Sequence, residues 1–273
     1  MWIVTAVVLG LVQGLTEFIP ISSTAHLILV GDLMNFSGER AATFEVFIQL
    51  GSVMAVVAVY RGRFIELLDF RRRTGFAGPR GLGFLLLTTL PALVFGAVFH
   101  GAIKAYLFNP FNVAIGMAVG GAWILLAERF FTGAAKNNLD GLTWKDALWI
   151  GCFQCMALWP GMSRSASTIL GGMITGLERK TATEYSFFAA VPVMFAATLF
   201  DLWKSLPCLG RADIPLFLVG FLVSFASAWV AIRFLIRFLS RHTLMPFGWY
   251  RLAVAGIVLL LLTGVGVYGL LTG

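Results

Sequence analysis

Long apolar segments separated by short polar loops follow one another along the whole chain. An α-helix needs about 20 apolar residues to cross the roughly 30 Å hydrocarbon core of a bilayer. We therefore predict six transmembrane helices, over residues 43–60, 83–100, 110–128, 183–202, 215–234 and from 247 nearly to the C-terminus.

Two further apolar stretches are interrupted in the middle by polar residues. One carries Glu17, a run of hydroxyls and His26 around Pro20, and the other contains Pro160 and Arg164. A charge near a bilayer centre costs roughly 2.5–3.5 kcal/mol, so chains that keep one usually have a use for it. Proline removes a backbone donor and biases the preceding residue away from helix, so each stretch should turn there. We interpret both stretches as re-entrant helical hairpins.

The distribution of Lys and Arg favours this interpretation. If both hairpins return to the side they enter, the dense basic loops all fall on one side of the membrane, and only Arg164 and Arg251 lie within membrane segments. Cytoplasmic loops carry an excess of Lys and Arg, so that side is predicted to be the cytoplasm. Both termini are then predicted to lie outside. The dense basic loops lie around residues 61–82, 129–145, 179–180 and 233–241.

An internal repeat relates the two halves of the chain. Residues 10–13 return as 151–154 and residues 22–25 as 163–166, both displaced by 141 positions. Each half would hold one hairpin and three crossings, and an odd number of crossings inverts the second half. We therefore predict an all-α polytopic membrane protein with inverted-topology repeats whose hairpin tips meet within the membrane. The single domain covers residues 1–273, with repeats of about 1–132 and 141–273.

Composition supports a membrane protein and excludes several other classes. The chain is 59% hydrophobic and 12% charged, whereas soluble domains are about a quarter charged. The net charge of +7 lies in loops between spans, so it indicates topology control and no nucleic-acid partner. Cys152 and Cys155 have no second ligand pair, so we predict no zinc site. Residues 1–19 hold no Lys or Arg, so no signal peptide is predicted.

The two hairpins are predicted to build one anion site. Ser22 or Ser23 suits the N-cap of the first return helix, and Ser163 that of the second. The free N–H groups of both helices would then converge with Arg164 on one dry spot. A phosphate is the natural occupant of such a site.

Glu17 would repel a phosphate, so it needs a further role. It either holds a divalent cation that bridges to phosphate oxygens or takes a proton from a nucleophile. Gln13, four residues earlier, shares its helix face. Ser23 and Thr24 offer a hydroxyl to attack phosphorus, and His26 could protonate the leaving oxygen or activate the attacking group. Both roles for Glu17 indicate phosphoryl chemistry.

Structural alternatives remain open for several of these residues. Hydroxyls in membrane helices commonly bond the backbone, which explains Ser22 and Ser165 as well as catalysis does. Glu17 and Arg164 could form a structural ion pair. Gln49, at the start of a span, is a possible supporting group. An anion site between inverted repeats could also serve a transporter or flippase for phosphate or polyprenyl phosphate.

The segments QGLTEFIPISSTAH (residues 13–26) and PGMSRS (residues 160–165) resemble the two motifs of the bacterial undecaprenyl-pyrophosphate phosphatases of the bacitracin-resistance type. The similarity also covers residues 43–51 and 151–159. The resemblance implies hydrolysis of undecaprenyl (polyprenyl) diphosphate to the monophosphate and phosphate, which recycles the lipid carrier of cell-wall synthesis. It implies an enzyme of the bacterial plasma membrane, surrounded by membrane lipid, and we expect its active site to open toward the outer leaflet.

The same resemblance implies roles for individual residues. Glu17 would be a catalytic or metal-binding carboxylate, and Ser23 the nucleophile. His26 would be an acid/base or phosphate contact and Arg164 the diphosphate clamp, with Mg²⁺ or Ca²⁺ as cofactor. Gln13 stands where many family members have Glu, so this chain offers one carboxylate and not two for a metal site. Whether Ser23 or water is the attacking group stays open. The remaining candidate substrate-binding residues are Gln13, Ser22, Thr24, Ser163 and Ser165.

Overall fold

The computed structural model describes residues 2–130, 133, 135–205 and 209–272. Within these ranges the chain is all-α, as predicted, and contains no β-strand. The helices are α1 (Trp2–Thr16), α2 (Ser23–Leu33), α3 (Glu39–Val59), α4 (Arg61–Leu68), α5 (Gly78–Ala102), α6 (Pro110–Phe130), α7 (Trp144–Gln154), α8 (Arg164–Ile174), α9 (Arg179–Ser205), α10 (Ile214–Leu239) and α11 (Met245–Thr272).

Six of these helices, α3, α5, α6, α9, α10 and α11, are long and apolar enough to cross a membrane. They coincide with the six predicted spans, which are confirmed, and the protein is a multi-pass membrane protein. Several helices extend beyond the predicted bounds: α9, predicted over residues 183–202, runs from Arg179 to Ser205. The apolar pattern marks the part of a helix suited to hydrocarbon, whereas backbone hydrogen bonding continues into the polar residues at its ends.

The two polar interruptions each form a pair of packed helices joined by a turn. α1 packs against α2, and α7 packs against α8. α2, α7 and α8 have 11 residues each. At 1.5 Å per residue such a helix is about 16 Å long, roughly half the hydrocarbon thickness. These helices are therefore too short to cross a bilayer, although the re-entrant placement itself stays a prediction.

The helices of the two halves pack on each other across the molecule. α1 packs most extensively on α10, and α7 on α5. In chain order α1 corresponds to α7 and α5 to α10, so these two contacts are equivalent. α3 packs against α9 and α6 against α11, which pairs each helix with its own counterpart. A twofold relation between the halves would produce this pattern, and the inverted orientation of the repeats stays a prediction.

The side chain of Arg251, on α11, joins the turns of both hairpins. Its exposed fraction is 0%, and its guanidinium has no carboxylate partner within the described residues. All of its hydrogen bonds go to backbone carbonyls, so one side chain satisfies peptide groups of both turns and of α6. The acceptors are the carbonyl oxygens of Pro20, Gly116, Met117, Gly161 and Met162, at 2.8–3.3 Å.

Replacement of Arg251 by Met should destabilise the protein strongly. The apolar side chain would leave several buried carbonyls without a donor, and each such group costs about 1–3 kcal/mol. We expect the thermal unfolding midpoint in detergent to fall by several degrees and the free energy of unfolding to decrease by at least about 3 kcal/mol.

Arg129→Met provides the matched control, since Arg129 is exposed at the end of α6. It should change stability by less than about 0.5 kcal/mol. Equal unfolding midpoints for the two variants would contradict the role given to Arg251.

Candidate active site

Both return helices start from a serine in the left-handed backbone region. Ser22, before α2, has φ of 72°, and Ser163, before α8, has φ of 71°. A non-glycine residue is held there at a cost of about 1–2 kcal/mol, and such strain clusters at functional sites. The Ser163 hydroxyl accepts a hydrogen bond from the amide of Ala166, so its predicted N-cap role is confirmed. Ser22 occupies the first N-cap position, but its hydroxyl makes no capping bond.

The carboxylate of Glu17 lies where the two hairpins meet. Its Oε2 accepts hydrogen bonds from the Ser23 hydroxyl at 2.6 Å and from the Gln13 side-chain amide at 3.0 Å. Its Oε1 accepts from Nη2 of Arg164 at 3.1 Å. The predicted convergence of the two hairpins is therefore present, with a hydroxyl, a carboxylate and a guanidinium in direct contact.

Arg164 is held in place from three sides. Besides its bond to Glu17, it donates through Nη1 to the carbonyl of Ser186 at 2.9 Å. Its guanidinium carbon also lies 5.7 Å from the centre of the Phe18 ring, within the range of a cation–π interaction. Its Nε–H is buried and has no partner among the described residues. The guanidinium is thus oriented and keeps one donor unused.

A cavity of about 220 Å³ opens beside this contact. It is lined by both hairpin turns and by the middle of α3 and α9. Predicted site residues supply most of the polar atoms. α3 adds the amide side chain of Gln49, which was predicted only as a possible supporting group. The polar lining consists of Glu17, Ser22, Ser23, Thr24, Ser163, Arg164 and Gln49.

Ser165 does not line the cavity. Its hydroxyl lies 3.0 Å from that of Ser163 and donates to the carbonyl of Ile19 in the other hairpin at 3.3 Å. This is the backbone-bonding alternative considered for Ser165. The Ser165 hydroxyl therefore connects the two turns, and its substrate-binding role stays a prediction.

His26 also lies outside the cavity lining. Its Nδ1 is 2.8 Å from the carbonyl oxygen of Ser22, and its Nε2 is 2.7 Å from the hydroxyl of Tyr250. Because a carbonyl only accepts, Nδ1 carries the proton and the tyrosine hydroxyl donates to Nε2. This arrangement supports a positioning role, in which His26 braces the strained Ser22 peptide. Its acid/base role stays a prediction.

Tyr250 and Arg251, which are adjacent on the apolar helix α11, were not among the predicted site residues. Arg251 was visible as a cation inside a predicted span, and that alone is a signal for function or for a partner. Its partners are backbone carbonyls, and these leave no pattern in the sequence. Tyr250 gave no signal, because an aromatic residue near a helix end is ordinary in a membrane protein.

Glu17 and Gln13 are the side chains best placed to hold a divalent cation. The described residues contain no cluster of three His, Cys, Asp or Glu. However, Oε1 of Gln13 is buried without a partner. If the amide turned over, this oxygen would take the place of Nε2, 3.0 Å from Oε2 of Glu17. Oxygen atoms are the ligands that Mg²⁺ and Ca²⁺ prefer, so the Glu17 carboxylate and a turned Gln13 amide would suit such an ion.

Comparison with known proteins agrees with the resemblance of the two motifs. The family model described as bacitracin resistance protein BacA matches residues 6–258. A protein named undecaprenyl-diphosphatase from Nitratidesulfovibrio vulgaris (strain DP4) is 55% identical over 255 residues, 93% of this chain and 96% of the relative. A protein of the same name from Maridesulfovibrio salexigens is 54% identical, over 93% of this chain and 97% of the relative. Another from Nitrosomonas eutropha is 47% identical, over 94% of each chain. The chain therefore belongs to the bacitracin resistance protein BacA family.

Proposed function

We propose that the protein is a membrane hydrolase that converts undecaprenyl diphosphate to undecaprenyl phosphate and inorganic phosphate. Relatives that match more than nine-tenths of the chain carry the name undecaprenyl-diphosphatase. The observation that carries the proposal is the contact of Glu17 with both Ser23 and Arg164 beside a polar cavity. It supports the proposal because a hydroxyl, a carboxylate and a guanidinium belong to one hydrogen-bonded group, and these could act as nucleophile, base and anion-binding cation.

Ser23 is the proposed nucleophile and Glu17 its base. Their 2.6 Å hydrogen bond lies within the range of activated nucleophile pairs. As the Ser23 oxygen bonds to the terminal phosphorus, its proton passes to Oε2 of Glu17 and the bond from phosphorus to the bridging oxygen breaks. The lipid monophosphate leaves with the bridging oxygen. Water then attacks the phosphorus of the phosphoserine, and Glu17 returns its proton to the Ser23 oxygen as the bond from that oxygen to phosphorus breaks. Both protons of the water remain with the inorganic phosphate. The alternative is direct attack by water that Glu17 activates.

The ion pair between Glu17 and Arg164 supports this sequence of steps. While Glu17 is ionised, its charge balances that of Arg164 across 3.1 Å. When Glu17 takes the proton it becomes neutral, so the guanidinium can turn its charge toward the phosphoryl oxygens as they become more negative. The ion pair considered as a structural alternative is thus also a resting state for catalysis.

As the alternative to its role as the base, we propose that Glu17 would hold a divalent cation, Mg²⁺ or Ca²⁺, together with Gln13, because a carboxylate oxygen bound to an ion cannot also take the proton of Ser23. Such an ion, when bound, neutralises charge on the phosphoryl oxygens. The Gln13 amide supports the assignment, because its oxygen has no other partner among the described atoms. Ser22, Thr24, Ser163 and Gln49 would contact the diphosphate from the cavity wall.

The proposed orientation places the cavity open toward the outer leaflet and both termini outside. It rests on the distribution of Lys and Arg, which concentrates the basic loops on one face. The substrate's prenyl chain would remain among the lipid tails while its diphosphate enters between the hairpin turns.

Ser23→Ala should abolish hydrolysis. Without the hydroxyl no phosphoserine can form, so we expect the rate of phosphate release from undecaprenyl diphosphate to fall at least about a thousandfold. The measurement is steady-state release by purified protein in detergent with Mg²⁺.

Ser165→Ala serves as the comparison, since that hydroxyl connects the turns without facing the cavity. It should stay within about tenfold of the unsubstituted protein. Substantial residual turnover in Ser23→Ala would assign the attack to water. Flux of the substrate across liposomes without hydrolysis would assign the protein to transport.

Arg164→Lys should lose most activity although it keeps the positive charge. The guanidinium fork bonds Glu17 and the Ser186 carbonyl together, whereas an ammonium is a compact point charge. We expect kcat to fall by about a hundredfold or more. Arg129→Lys, on the exposed end of α6, should leave kcat unchanged. A near-normal kcat in Arg164→Lys would argue against the clamp.

Gln13→Glu should increase the affinity of the protein for a divalent cation. It adds a second carboxylate beside Glu17, so the half-saturating Mg²⁺ concentration is expected to fall by roughly tenfold. Gln13→Leu should raise it. Stabilisation of each variant by Mg²⁺ in thermal unfolding, without substrate, gives a readout independent of turnover. Equal Mg²⁺ responses in all three proteins would place the ion elsewhere.

A further inference from the structure

A second polar cavity, of about 570 Å³, lies at the ends of α3, α9 and α10. Three cationic side chains face it, those of Lys180, Arg233 and Arg237, together with one carboxylate, Glu184. The lining therefore carries a net charge of about +2 at neutral pH. Its apolar wall is formed by Val59, Ile232 and Ile236.

This basic pocket is separate from the candidate active site. On α3 the active-site cavity reaches Gln49 and the basic pocket reaches Val59. On α9 the corresponding residues are Val193 and Glu184. Nine or ten residues of helix separate the two cavities, which is about 14 Å. A ligand of the basic pocket would not touch Glu17, Ser23 or Arg164.

The protein balances the cations of the pocket only in part. Glu184 interacts electrostatically with Lys180, four residues before it. In the ranges that the structure describes, neither Lys180 nor Arg237 has a carboxylate within ion-pair distance. The guanidinium of Arg233 lies 3.8 Å from the centre of the Trp229 ring. Other cations in or next to the basic loops form ion pairs: Arg63 with Glu66, Lys136 with Asp146, and Arg179 with Glu128.

The counterpart of Lys180 in the first half of the chain behaves differently. Arg40 is the second residue of α3, as Lys180 is of α9, and the two are 140 positions apart. Arg40 forms an ion pair with Asp213. A cation at the second position of this helix is therefore ion-paired in the first half of the chain and, among the described residues, not ion-paired in the second half.

The basic pocket lies at the ends of spanning helices, at the level expected for lipid head groups. Val59 ends α3, Lys180 is near the start of α9, and Arg237 lies in the last turn of α10. Ends of spanning helices lie at the level of the lipid head groups. A head-group phosphate there would meet the three cations, while its acyl chains could lie along the apolar wall.

We propose that this pocket binds the phosphate group of an anionic phospholipid from the leaflet on the side of the basic loops. Basic pockets between spanning helices select such head groups, because each Lys or Arg near the surface attracts an anionic lipid. A free phosphate ion would use the cations but not Val59, Ile232 and Ile236. The combination of charge with an apolar wall favours the lipid.

Native mass spectrometry of the purified protein tests this proposal. Phosphatidylglycerol and phosphatidylcholine with identical acyl chains are titrated separately. The pocket variant is Lys180→Gln/Arg237→Gln, and the control is Arg71→Gln/Arg73→Gln, which removes two exposed cations from the loop between α4 and α5. We expect phosphatidylglycerol to bind the pocket variant about tenfold or more weakly, and the control like the unsubstituted protein.

Three outcomes would overturn the proposal. Equal weakening in the pocket and control variants would show that only overall charge matters. Equal binding of phosphatidylglycerol and phosphatidylcholine would show that the pocket does not distinguish lipids by head-group charge. Displacement of phosphatidylglycerol by millimolar inorganic phosphate would indicate a free-anion site.

Unchanged thermal unfolding establishes that the double variant is folded. If the double variant does not fold, the same comparison is made with single variants. Arg237→Gln then removes one cation from the pocket, and Arg73→Gln removes one from the loop as the control. Because lipid binding is measured without turnover, failure here leaves the hydrolase proposal untouched.

Discussion

Backbone carbonyls inside a membrane protein must find donors within the protein, and the two hairpin turns depend on this constraint. Both turns interrupt helices at prolines, so their peptide groups lack helical partners. Arg251 supplies donors to carbonyls of both turns and of α6. A buried guanidinium without a counter-ion is costly in itself. Here the cost is offset by a full set of acceptors, and the result is a fixed distance between the turns.

That fixed distance lets charges from the two halves cooperate. Glu17 follows α1 and Arg164 begins α8, yet their side chains meet at 3.1 Å. Each of these two charges is stabilised by the other, because an unpaired ion in a low-dielectric site is strongly disfavoured. The pairing therefore requires both turns to be correctly placed. The left-handed backbone of Ser22 and of Ser163 is the local strain that this arrangement holds in place.

Much of this arrangement could be predicted from the sequence. The six spans follow from apolar length, and the convergence of Glu17 with Arg164 follows from two isolated charges in two matched stretches. The rest depends on geometry that no residue pattern encodes. The direction of His26 is set by the Ser22 carbonyl and by Tyr250, which comes from the far end of the chain. Gln49 enters the cavity because of how α3 packs, and its residue type alone could not show that.

The single carboxylate of the site has a physical consequence. With Gln13 in place of a second acid, Glu17 and Arg164 balance each other, so the group is neutral before any ligand arrives. A second carboxylate would leave a buried negative charge unless a metal cation bound or one carboxylate took up a proton. Glu17, Arg164 and Gln13 can therefore form this arrangement without a metal. Arg251 adds a positive charge behind both turns, so the site as a whole favours an anion over an isolated cation.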